Sequence, residues 1–363
     1  MRPRVLDRRA LVARDWPWLR EEFAAMPTLL EEDAQACSKD RYCNILPNPS
    51  TRVALGGTKG GYINANHVVG SSPSRKYICT QGPMEHTVTD FWQMCWEQLT
   101  SVIVMVTELM DGRKEKCHRY WPARADTPMP CGPFTVTAKA PRVDGNIHVT
   151  ELSLQHAGTS RTLHHFWYRG WPDFDVPDEA DDNILKFVHR VRAAATPAPI
   201  VVHCSAGIGR TGTYIMIDDG MLQLRGPHRV VDIVSSVMAL RRQRGGLIQM
   251  LQQYHFVHKA LAEYLNMASP VSMYARAESL TISLKRTQSE FGLALRGSYP
   301  AFVSAVTAGS VADVAGLQVG DHLMKINGVD LTDSRHDDVI ATIERAGASV
   351  TLVVLRPVPE SSA

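Results

Sequence analysis

The stretch Ile200-Val201-Val202-His203-Cys204-Ser205-Ala206-Gly207-Ile208-Gly209-Arg210-Thr211-Gly212 limits the choice of fold more than any other part of the chain. A β-branched apolar run stops at a cysteine, small residues follow, and an apolar periodic stretch from Tyr214 to Leu224 begins soon after an arginine. That order predicts a buried strand, a tight loop and a helix. A small-residue loop ahead of a helix N-terminus can turn successive backbone N–H groups into one concavity, where the helix dipole also favours an anion. Cys204 opens the loop and Arg210 closes it, so a thiolate sits at the floor while a planar guanidinium can grip two oxygens at once.

At 363 residues the chain exceeds one ordinary core, and about two domains are expected. A net charge of +2 gives no general pull toward nucleic acid. Arg2, Arg4, Arg8, Arg9 and Arg14 form a local basic patch, read as a solvated tail or the face of a first helix. No apolar run approaches the ~18 residues of a membrane span, and no apolar core follows the N-terminal arginines as in a secretion signal. A soluble cytoplasmic protein is therefore expected. The seven cysteines are odd in number, irregularly spaced and without a CxxC pair, so reduced thiols are expected, with no metal and no cofactor.

Apolar spacing from Ala10 to Met26 predicts a first helix. Thr87 to Leu99, Asp178 to Ala195, Val231 to Arg242 and Gln249 to Tyr264 read as further helices. Tyr77 to Thr80, Val102 to Val106, Phe134 to Thr137, His148 to Leu154 and Thr162 to Tyr168 read as strands of one sheet. Between them, Trp171-Pro172-Asp173-Phe174-Asp175-Val176-Pro177 can continue neither strand nor helix. It reads as a surface loop stiffened at both ends, of the kind that often carries function.

Residues 267–277 break the periodicity and read as a linker between a first domain, 1–266, and a second, 278–358, with 359–363 as a tail. The second domain carries short strand-like runs, Leu280 to Lys285, Gly292 to Leu295, Phe302 to Val306, His322 to Ile326 and Val350 to Leu355, and one helix, Arg335 to Ala346.

The first ~265 residues resemble the catalytic domain of the cysteine-dependent protein tyrosine phosphatases. The residues that carry the likeness are Cys204 and Arg210 with five between, Arg41-Tyr42, Tyr62-Ile63-Asn64-Ala65-Asn66, Thr80-Gln81-Gly82-Pro83 and Asp90-Phe91-Trp92. Lys116-Cys117-His118-Arg119-Tyr120-Trp121-Pro122, Trp171-Pro172-Asp173, and Gly246-Leu247-Ile248-Gln249 with Gln253 complete the series in the family's order. The resemblance implies an α/β domain with a central twisted mixed sheet flanked by helices. It also implies phosphotyrosine hydrolysis through a phosphocysteine.

Cys204 is then the nucleophile and Arg210 the phosphate clamp, Asp173 the acid that protonates the leaving oxygen, and Gln249 and Gln253 the residues that place water. Thr211 steadies the sulfur as it leaves. Ser205, Ala206, Gly207, Ile208 and Gly209 supply the phosphate loop, while Tyr42, Asn44, Trp171 and Phe174 shape the substrate slot. Tyr42 favours phosphotyrosine over phosphoserine, and the loop lacks the lysines expected of lipid phosphatases. The competing readings are a catalytically quiet binding protein and a lipid or dual-specificity phosphatase.

The sequence departs from the family at Asp40, often asparagine, and at Asp175, often glycine. The acid that braces Arg210 is left open between Asp111 and Glu108.

Residues from about Glu278 to Arg356 resemble a PDZ domain, a small mainly-β module. Glu290-Phe291-Gly292-Leu293, Ala315-Gly316-Leu317 with Gly320-Asp321, Ile326-Asn327-Gly328 and His336 carry that likeness. It implies capture of a partner's C-terminus: carboxylate at Gly292 with help from Arg286, main chain on the strand through Leu295, and a Ser or Thr against His336. An apolar last residue would sit among Phe291, Leu293 and Ile340. Partners are then phosphotyrosine proteins and proteins with such C-termini, which could also recruit the chain to the membrane cortex. The oligomeric expectation is a monomer.

Overall fold

A computed structural model describes residues 5–6, 10–11, 16–56, 61–73, 76–177, 183–225, 230–267, 277–285, 291–296, 301–331, 334 and 336–357. It divides into two compact units, residues 1–262 and 263–363. In sequence order the principal elements of the first are α1 (Leu19–Ala24), β1 (Ala65–Val69), β2 (Lys76–Thr80), α2 (Val88–Glu97), β3 (Val102–Met105), β4 (Met129–Cys131), β5 (Phe134–Ala138) and β6 (Ile147–His156). β7 (Thr159–Tyr168), α3 (Asn183–Ala194), β8 (Ile200–His203), α4 (Gly209–Leu224), α5 (Ile233–Gln243) and α6 (Leu251–Met267) follow.

β1 to β8 join a nine-stranded mixed sheet in the order β1-β2-β8-β3-β7-β6-β5-β4, with Arg142–Asp144 beside β6. β8 lies between two parallel neighbours, Val201 facing Ile78 on β2 and Ile103 on β3. All four of its residues are buried, as its unbroken β-branched run requires when both faces are covered. Phe91, Trp92, Met94 and Cys95 of α2 pack on one face with Val201 and Ile103. On the other, Phe187 of α3 bridges Tyr168 of β7 and Tyr214 of α4 through ring contacts of 5.2 and 5.8 Å. α4 is buried on nearly every side, which its lack of a polar face foretells.

Element ends moved where local chemistry outweighed periodicity. Of the helix expected over residues 10–26, Ala10–Leu11 and Leu19–Ala24 are helical, with residues 12–15 lying outside the described ones. α5 starts at Ile233 because Asp232 caps it, accepting from Ser235 N–H at 2.9 Å. α6 starts at Leu251, so Gln249 stands ahead of the helix rather than on it. The expected linker falls largely on residues 268–276, outside the described ones.

The second unit forms a six-stranded sheet around one apolar core that includes Leu284, Phe291, Leu323, Ile326, Val339 and Leu352. Its elements are β9 (Ala277–Lys285), β10 (Leu293–Arg296), β11 (Phe302–Val306), α7 (Val311–Val314), β12 (His322–Ile326), α8 (His336–Arg345) and β13 (Ser349–Pro357), with the sixth strand, Val329–Asp330, beside β12. β10 ends the order β9-β13-β12-β11-β10, so it is an edge strand, and its register shifts between Ala294 and Leu295. α7 escaped the sequence reading because four residues show no periodicity; Ser310 caps it.

Candidate active site

Cys204 follows β8 directly and is 3% exposed. The loop turns at Gly207, whose φ is +72° and where an added Cβ would lie 2.2 Å from Thr80 O. Only glycine fits there. Gly207 N–H donates to Cys204 Sγ at 3.2 Å. Burial pushes the Cys204 thiol up, but the Arg210 charge, the Thr211 hydroxyl and the N–H groups of Thr211 and Gly207 outweigh it, and the net direction is down. The Thr211 hydroxyl is buried without another partner. Elsewhere burial wins: Cys79 is pushed up to about 12, and Cys95, Cys117 and Cys131 also rise.

Arg210 donates from Nη1 to Trp171 O at 3.0 Å and from Nη2 to Asp173 Oδ1 at 2.8 Å. Asp173 Oδ2 accepts from Lys116 Nζ, which also pairs with Asp111 Oδ2 at 3.3 Å. The loop carrying Asp173 therefore lies over the cysteine, held by two cations.

Neither acid expected to brace Arg210 does so. Asp111 turns to Lys116, while Glu108 forms a bidentate pair with Arg169 and accepts from Gly170 N–H at 3.0 Å. The physical reason is competition, since the Trp171 carbonyl and Asp173 already occupy donors on both arms of the Arg210 fork. Asp175 is exposed; its carboxylate accepts from Val176 N–H, and its carbonyl accepts from Trp171 Nε1 at 3.0 Å, tying the loop's ends together.

Tyr42, Asn44, Ile45, Asp173, Phe174, Gln249 and Gln253 surround a cleft of about 150 Å³ floored by Cys204, Ser205, Ala206, Gly209 and Arg210. Tyr42 OH is hydrogen-bonded to Ser205 Oγ at 2.9 Å, which fixes the ring as a wall. Gln253 Oε1 accepts from Gln249 N–H at 3.1 Å and from Met250 N–H at 3.2 Å, and lies 3.0 Å from where a Cβ on Gly209 would sit. Gly207, Ile208, Trp171 and Thr211 shape the site from behind instead of lining the cleft.

Of the residues that support the site, Arg244 was not singled out from sequence, while Asp40, Arg41, Asn64 and Asn66 were named only through the family likeness. Arg244, fully buried, donates to Gly207 O, Ala206 O, Asn64 Oδ1 and Asn66 Oδ1, gripping the back of the cysteine loop. Asp40 accepts from Tyr62 OH, Asn64 Nδ2 and Cys37 N–H, so a carboxylate replaces the usual amide as an acceptor for several donors. Arg41 is spent on the carbonyls of Gly82, Pro83 and Glu115 and does not line the cleft. The two asparagines were named only as part of the family motif, since no local pattern marks what they hold.

Residues 36–263 match the family model for protein-tyrosine phosphatase. The chain belongs to the protein-tyrosine phosphatase family. Residues 281–355 of this phosphatase match the model for a PDZ domain. Among its relatives is human tyrosine-protein phosphatase non-receptor type 7, 44% identical over 260 residues, covering 68% of this chain and 71% of that protein. Human receptor-type tyrosine-protein phosphatase R is 42% identical over 236 residues, covering 62% of this chain and 35% of its own. Rat receptor-type tyrosine-protein phosphatase C is 38% identical over 270 residues, covering 72% and 21%. No helix among the described residues of the phosphatase is long and apolar enough to cross a membrane.

In the PDZ unit, Gly292 has φ +76°, and a Cβ there would lie 2.1 Å from Ser310 Cβ. That conformation directs the turn into β10, whose outer edge pairs with no strand among the described residues. Phe291, Leu293, Leu295 and Ile340 belong to one apolar cluster. His336 is the first residue of α8, and Arg286 lies outside the described residues.

Proposed function

We propose that the phosphatase hydrolyses phosphotyrosine in proteins in two steps. In the first, the Cys204 thiolate bonds to phosphorus as the bond to the tyrosyl oxygen breaks, and Asp173 gives that oxygen a proton. The products are phosphocysteine and a free tyrosine side chain. The N–H groups of Ser205 to Arg210 and the Arg210 fork hold the three equatorial oxygens, so catalysis is chiefly positioning and charge stabilisation. In the second step a water held by Gln249 and Gln253 passes a proton to the Asp173 carboxylate as its oxygen bonds to phosphorus. The phosphorus–sulfur bond breaks, and its electron pair returns to Cys204 beside the Thr211 hydroxyl.

The observation that carries this reading is that a thiol lowered despite burial shares one cleft with Asp173, Arg210 and both glutamines. The Tyr42 wall supports an aromatic phosphate, because a short phosphoserine stem would leave phosphorus above the floor. A Cys204→Ser protein is expected to lose phosphotyrosine hydrolysis while keeping substrate binding. Rapid acid quench of the wild type should yield phosphate on the Cys204 peptide. Wild-type turnover in the serine variant would remove the nucleophile assignment.

For the PDZ unit the proposed ligands are protein C-termini of the form Ser/Thr-x-hydrophobic, laid along β10. Their role is to concentrate substrates near the phosphatase.

A further inference from the structure

On the phosphatase unit, away from the cleft lining, two guanidiniums are mounted on neighbouring indoles. Arg119 lies 4.7 Å over the Trp121 ring, Trp121 meets Trp167 edge-on at 5.4 Å, and Arg169 lies 4.8 Å over Trp167. His148 flanks the same Trp167 at 5.9 Å. Among the described residues, the one carboxylate bonded to this group is Glu108, already shared between the Arg169 fork and Gly170 N–H. Arg119 makes no hydrogen bond or ion pair among the described residues.

A stiffly mounted, half-buried guanidinium with unused donors, beside a second one, is a charge arrangement that lacks its counter-anion. Burial and the like charge of Arg169 both push Arg119 below its usual range, and a bound anion would relieve the second effect.

We propose that Arg119 and Arg169 form a second anion site, which takes a phosphorylated side chain of a protein partner and acts on the acid loop through Glu108. A phosphate monoester carries close to two negative charges and three acceptor oxygens, enough to meet both forks, whereas a carboxylate would only duplicate Glu108. Arg169 is 45% exposed, so the phosphate arrives on a chain lying along the surface. The link to the active site is covalent and short. Arg169 and Gly170 immediately precede Trp171, whose carbonyl holds Arg210, and Asp173 follows two residues later. A phosphate that draws Arg169 from Glu108 loosens this clamp and favours an open acid loop.

The probe is a short phosphoserine peptide, which on the reading above cannot reach Cys204, with the unphosphorylated peptide as control. Binding is read from indole fluorescence, since Trp121 and Trp167 form the floor, and this readout is independent of the chemistry proposed for Cys204. The wild-type chain should bind the phosphopeptide alone, and Arg119→Gln should weaken binding about tenfold or more through loss of a charge-assisted contact. At saturation the peptide should lower kcat for a small aryl phosphate without raising KM in the wild type. It should have no such effect in Arg119→Gln, whose turnover without peptide should stay at the wild-type level. Equal binding by both proteins, purely competitive inhibition, or Arg119-dependent binding to phosphatidylserine vesicles but not to the phosphopeptide would overturn the proposal.

Discussion

Arg210 Nη2 donates to Asp173 Oδ1 at 2.8 Å, so the residue that closes the phosphate loop also holds the acid loop shut. On the proposed mechanism, the oxygens of an entering phosphate would compete for the same guanidinium and hand the acid from the clamp to the leaving group. Asp173→Asn should therefore lower kcat by about 10²–10⁴ for phosphotyrosine, the usual worth of a positioned proton donor. The loss should be smaller for a nitrophenyl phosphate, whose leaving oxygen needs a proton less. Steady-state kinetics on the two substrates check this; equal losses would argue that Asp173 only shapes the loop.

Arg244 satisfies two carbonyls of the cysteine loop and two asparagine amides from inside the fold. Arg244→Met leaves those acceptors buried without donors, at a cost of about 3 kcal/mol or more. Urea denaturation followed by indole emission reads this cleanly, because all seven tryptophans lie between residues 16 and 171, within the phosphatase unit. Unchanged stability would mean that water replaces the guanidinium.

Burial holds His203 and His258 down at about 4 and His165 at about 3. Their folded values lie below the unfolded ~6.5, so the unfolded chain binds more protons between those values. Stability of the phosphatase unit should accordingly be full above about pH 6.5 and fall as pH drops toward 4, by several kcal/mol in sum. The same indole-monitored denaturation at a series of pH values measures it. A flat profile over that window would show that the histidines are solvated.

Gly292→Ala introduces a side chain at φ +76° against Ser310 and should disturb the entrance to β10. Affinity for a C-terminal Ser-x-Val peptide should fall toward that of its amidated form, while aryl phosphate turnover remains. Titration with labelled peptide decides it, and unaltered affinity would move carboxylate capture elsewhere.

How far the chain could be read from its residues varied with the origin of the information. β8, the Cys204 loop and α4 were legible because burial on both faces, small residues and a continuous apolar helix leave a local imprint. The gathering of Tyr42, Asp173 and Gln249 around Cys204 came from resemblance, since such distant segments carry no local sign of meeting. The partners of Arg210 were misjudged because a carboxylate near in motif order was favoured over a main-chain carbonyl, which every residue possesses and no sequence marks. Arg244 was passed over for a related reason: a basic residue at a helix end looks solvated until the loop behind it is in place.

β10 is four residues long, lies at the edge of its sheet and shifts register between Ala294 and Leu295. An open edge suits a peptide but equally invites a second copy of the same strand, the first step toward aggregation. Shortness and the register shift limit how far two such edges can zip together. A Pro or Lys guard placed on the strand would protect it at the expense of the ligand's own hydrogen bonds. Among the described residues this edge is left unsealed, and irregularity rather than blockage limits how far copies can pair along it.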